Sequence, residues 1–148
     1  MITDLPNSLR WKAMQTLLQA LRANPVLGGA GILVVHNPRS PASLAKGPYC
    51  VFIKDQNDTL VGNAGQAEKR GHQFLLGVVA RSDDAECDAD ALHEAAADTL
   101  RATRKVLMQD NRSENLTEAN TQFESASLEI DGALCLSTWT LNYRKTSP

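Results

Sequence analysis

The chain has 148 residues, of which 43% are hydrophobic, 22% charged and 5% aromatic, and its 15 basic and 17 acidic side chains leave a formal net charge of −2. This composition excludes a collagenous, low-complexity or disordered chain, and no apolar run approaches the roughly 20 residues needed to cross a bilayer. A surface that grips DNA or RNA through phosphates carries a basic excess or stripe, and neither is present. The length suits one domain over residues 1–148. Asp4 stands where a secretory signal would be basic. Cys50, Cys87 and Cys135 are odd in number and far apart, so they read as free thiols in a reducing compartment rather than as a disulfide framework.

The first periodic segment opens after Asn7-Ser8, either of which can cap a helix through its side-chain oxygen. Trp11, Met14, Leu18 and Leu21 then recur at helical spacing with Leu17 beside them, predicting an amphipathic helix that stops at Asn24-Pro25. Gly28-Gly29-Ala30-Gly31 turns the chain into Ile32-Leu33-Val34-Val35, a β-branched run expected to be a strand covered on both faces. A proline-bearing excursion, Pro38 to Pro48, precedes a second strand at Tyr49–Ile53. Residues Asp55 to Lys69 are polar and glycine-bearing, and they read as a long loop. A third strand is expected over Gln73–Ala80 and a long helix over Asp88–Met108, with Leu92, Ala96, Leu100, Thr103 and Leu107 facing inward. The acids Asp83, Asp84, Glu86, Asp88 and Asp90 precede or open this helix, and Arg101, Arg104 and Lys105 close it, matching its dipole at both ends. Asp110 to Asn120 reads as a polar connection. Phe123–Ile130 and Ala133–Arg144 then flank Asp131-Gly132, a two-residue hairpin signal that would pair Leu128 with Cys135, Glu124 with Trp139 and Gln122 with Leu141.

Helix, three strands, helix and two strands predict an α+β two-layer sandwich, a mixed five-stranded sheet with both helices on one face. The opposite face is too apolar to be left wet, which points to a second copy of the chain covering it.

Catalytic and metal patterns are weak. His36, His72 and His93 have no zinc-site spacing and read as structural, on the surface or half buried. His93-Glu94 lacks the second histidine of a zinc-protease helix, because position 97 is Ala97. The acidic run Asp83 to Asp90 does not follow a calcium-loop pattern. Ser40, Ser43 and Ser82 lack a nucleophile elbow. No catalytic residue, cofactor or metal is expected. The polar Asp55–Lys69 segment reads either as a plain connection or as a projecting arm. In the second case Lys54, Asp55, Asp58, Lys69 and Arg70 would supply subunit or partner contacts. A competing reading is a small cytosolic enzyme or ligand-binding domain whose pocket, at an oligomer interface, uses His36, His72 and Glu94.

The order of elements carries one resemblance. The chain has an opening helix with Arg10 and Leu17-Leu18-Gln19-Ala20-Leu21, and a strand Phe74-Leu75-Leu76-Gly77-Val78-Val79. An alanine-rich helix and a terminal hairpin ending Trp139-Thr140-Leu141-Asn142-Tyr143 follow. In this it resembles the tail terminator (tail completion, minor tail) proteins of long-tailed bacteriophages over nearly its whole length. The resemblance implies a non-enzymatic virion protein, assembled in the host cytoplasm as a homo-oligomeric ring, typically hexameric. Such a ring caps the tail tube protein and meets the head–tail connector, and DNA passes through it without specific binding. The family supplies no catalytic residues to carry over.

Overall fold

The computed structural model describes residues 6–29, 32–38, 47–109, 113–124 and 132–146. In chain order the elements are α1 (Leu9–Ala23), β1 (Ile32–His36), β2 (Tyr49–Ala64), β3 (Ala67–Ala80), α2 (Ala85–Met108), β4 (Ser113–Glu124) and β5 (Ala133–Thr146). The five strands form one sheet in the order β1-β2-β3-β5-β4. β1 runs parallel to β2 and every other neighbouring pair is antiparallel, so the sheet is mixed and the fold is α+β as expected.

Ser8 caps α1 by accepting from the Trp11 backbone N–H at 3.2 Å. Asn24 ends it: its side-chain oxygen accepts from Val26 N and Leu27 N, and its amide donates to Thr99 Oγ1 on α2 at 2.9 Å. One residue thus stops a helix and ties it to its neighbour. Ala13, Met14, Leu17, Leu18 and Leu21 are buried, but Trp11 lies outside the core at 43% exposure, leaning on His36 with ring centres 5.1 Å apart. Both helices pack on one sheet face, where their apolar stripes meet Val51, Ile53, Phe74, Leu76, Val78, Cys135, Trp139 and Leu141 in a single core. On the rear face a smaller cluster of Cys50, Phe52, Val79 and Leu134 is buried, with Val35 and Leu136 packed against it. The end of the Phe52 ring fills the space over Gly77, where a Cβ would sit 2.1 Å from it.

Three expectations are corrected. The supposed loop Asp55–Lys69 is strand: β2 and β3 form a long hairpin closed by Gly65-Gln66, with Gly65 at φ +63° and pairing from Tyr49↔Ala80 to Ala64↔Ala67. Its side chains are polar because the ribbon is mostly exposed, and backbone pairing proceeds without an apolar alternation. Second, α2 starts at Ala85 instead of Asp88, and its cap residue Asp84 makes no side-chain capping bond. Third, the supposed connection Asp110–Asn120 is largely β4, and its register is displaced by five residues. Gln122 pairs with Leu136 instead of Leu141, Glu124 with Leu134 instead of Trp139, and Cys135 with Phe123 instead of Leu128. The observed register sets Leu116, 4% exposed, opposite Leu141 in the core. The rest of this polar strand can stay exposed because it lies at the sheet edge. The expected strand residues 125–130 and Asp131, and most of the Pro38–Pro48 excursion, lie outside the described residues.

Candidate functional site

Asp55 and Asp58 lie on β2 before and after a register shift. This irregularity brings both carboxylates to the helix-covered side. Asp55 sits between two histidines, with Oδ2 3.0 Å from His36 Nε2 and Oδ1 2.9 Å from His72 Nε2. Gln15 Nε2 lies 3.4 Å from His36 Nδ1. Asn37, whose φ of +51° is one that asparagine tolerates, donates its amide to Asp55 and accepts from the Asp55 N–H. Burial would raise the Asp55 pKa, but hydrogen bonds from His72 and Asn37 and the charges of both histidines outweigh it, lowering the value to about 2.

Asp58 receives Arg70 Nε and the Tyr143 hydroxyl, with Arg10 Nη1 at 3.5 Å, and its side chain is 10% exposed. Its pKa is lowered because these donors overcome its burial. Burial and the Asp58 bond raise that of Tyr143. Arg70 also holds Glu68 at 2.9 Å. His72 Nδ1, buried without a hydrogen-bond partner, faces Asp58 Oδ2 at 3.7 Å. Of the five residues singled out in the sequence, Asp55, Asp58 and Arg70 therefore join one intramolecular network. Lys54 is exposed and Lys69 partly exposed, and neither has an ion pair among the described residues. Arg10, Gln15, Asn37 and Tyr143 belong to the network, but nothing in the sequence tied them to Asp55 and Asp58, because they converge from separate elements.

Two of the three histidines are more buried than expected, His72 and His93 each being 4% exposed, while His36 is half buried as expected. His93 Nε2 lies 2.8 Å from Ser137 Oγ, which accepts from Trp139 Nε1 at 2.7 Å. Burial pulls the His93 pKa down. With Ser137 1% exposed, this pair is sealed in the core and does not meet substrate. Glu94 is apart from His36 and His72, on the exposed face of α2 beside Arg101 at 3.9 Å. Cys50 and Cys135 are buried and their thiol pKa values are pushed up to about 11, which keeps them unreactive. Among the described residues no group of three or more His, Cys, Asp or Glu is placed to hold a metal.

The exposed face of α2 is divided by charge. Asp83, Asp84, Glu86 and Asp90 are exposed at one end, and Asp88 is held by Tyr49 and Ser82. At the other end Arg101 bonds Asp98 and Glu118 and stacks over Trp139, while Arg104 and Lys105 are exposed without ion pairs among the described residues. Two adjoining clefts share Arg104. One is lined by Arg101, Lys105, Met108 and Gln109, and the other lies between Val61, Lys69, Arg70 and Glu114.

No family model matches the chain, and no curated protein matches it. Solved structures do share its fold. A chain described as part of the virion of a native gene transfer agent particle aligns with a TM-score of 0.54 over 95% of this chain and 100% of that one, at 12% identity. The likeness is one of fold.

Proposed function

We propose that this protein is a structural virion component of the phage type, acting as a tail terminator. Copies close into a ring, hexameric by the family resemblance, that caps the tail tube and meets the head connector while DNA passes through. The observation that carries this reading is the fold shared end to end with a chain of a gene transfer agent virion. The surface supports it. Leu60, Val61 and Phe123, all more than half exposed, lie on the β2–β3 hairpin and on β4, and Leu33 is exposed on β1. Apolar side chains beside open strand edges suit contact with other subunits.

Stopping tube growth is then a matter of geometry: one ring face copies the docking surface of the tube and the other does not. The Asp55–Asp58 network braces the hairpin from within, leaving Lys54 and Lys69 as its outward contacts. The protein does no chemistry and works with the tube and connector proteins in the host cytoplasm. Electron microscopy of tails assembled without it is expected to show overlong tubes. Tubes of normal length without it, or a monomer that stays monomeric with tube protein present, would overturn the reading.

A further inference from the structure

We propose that copies of this chain join head to tail by charge, the acidic end of α2 on one copy seating in the basic cleft at the far end of α2 on the next. This rests on the ring reading above and specifies the interface that builds the ring. Helix α2 has 24 residues, so its ends stand roughly 36 Å apart at 1.5 Å per residue. One copy can therefore use both surfaces at once. A contact between two unlike surfaces propagates from copy to copy and closes when the rotation per subunit divides the circle.

Complementarity is what selects a second copy as the occupant. Asp83, Asp84, Glu86 and Asp90 are exposed, with no ion pair among the described residues. At the cleft end the nearby carboxylates are each held by an arginine, Glu114 by Arg144, Glu118, Asp98 and Glu94 by Arg101, and Glu68 and Asp58 by Arg70. Arg104 and Lys105 make no ion pair there among the described residues, and Lys69 adds its charge beside Glu114 in the same cleft. The helix dipole does not account for the whole pattern, because its field is confined to the first and last turns. Asp83 precedes the helix and Lys69 is on β3. Apolar surface is available beside the cations, with Val61 67% and Val106 54% exposed. Facing charges supply register and encounter rate, and the apolar contacts add affinity.

The test is charge reversal at each end of the full chain, read by sedimentation velocity and native mass measurement. Arg104→Glu with Lys105→Glu reverses the cleft, and Glu86→Lys with Asp90→Lys reverses the acidic end. Each protein alone is expected to be monomeric, with self-association weakened about a hundredfold or more by like charges brought together. Mixed in equal amounts, the two are expected to assemble again, because every second contact is native and the others have both signs exchanged. That recovery also shows that both variants are folded. Oligomers that persist in either variant alone, or a mixture that stays monomeric, overturn the proposal and leave the ring reading standing. A wild-type chain that never associates, even with tube protein, overturns both.

Discussion

The two faces of the sheet differ in what shields them. On the helix side, Phe74, Leu76, Trp139 and Leu141 meet Met14, Leu17, Leu18 and Leu100, all 1% exposed or less. On the rear, Cys50, Phe52, Val79 and Leu134 form a small cluster, while Val35, Leu75 and Leu136 are half covered and Leu33 is 40% exposed. The first face is complete within one chain. The second is complete only at its centre, so folding energy is concentrated on one side and apolar surface stays partly uncovered on the other.

The sharpest way to break the contrast is to empty the helix side. Trp139→Ala removes a fully buried ring stacked with Phe74 and the donor to Ser137. It should cost about 3–5 kcal/mol, read by urea denaturation, and a loss under ~1 kcal/mol would show that this face is not the main core. At the polar end of the same face, Asp55→Asn should cost about 2 kcal/mol at neutral pH, from a shift between 3.8 and about 2 on a side chain only 27% exposed. The sign follows from a folded-state pKa that is depressed. The stabilisation is present above the unfolded value and is lost as pH falls from about 4 toward 2. Wild-type stability should drop across that window more steeply than that of the variant, and equal slopes would refute the account.

On the rear, Gly77→Ala forces the Phe52 ring off its seat. A cost of about 1–2 kcal/mol is expected, with faster labelling of Cys50 by a thiol reagent. Unchanged labelling would mean that the ring does not shield the cluster. The smallest effect is expected for Leu33→Ser, within about 0.5 kcal/mol in stability but with measurably weaker self-association. A wild-type oligomer in that variant would remove β1 from the interface.

Where apolar periodicity was strong, the fold was legible. Leu17, Leu18 and Leu21 announced α1; Leu92, Ala96 and Leu100 announced α2; and Val51, Ile53 and Leu76 announced central strands. The polar strands were not. Asp55–Lys69 and Ser113–Asn120 pair through backbone groups that every residue carries, so composition does not distinguish them from loops. Asp131-Gly132 signalled a tight turn, whereas the observed register is decided by Leu116 reaching the core opposite Leu141.

The candidate site divides along the same line. Asp55, Asp58 and Arg70 stood out in the sequence as charges in a polar segment, but Tyr143 and Arg10 join them from distant positions. The sequence by itself determined the two helices, the apolar central strands and the charge division along α2, because each is written at spacings within one element. Tertiary structure alone decided the strand register, the inward turn of Asp55 and Asp58, and the cleft joining Lys69 to Arg104. Each of those depends on residues far apart in the chain, brought together by burying the helix side of the sheet.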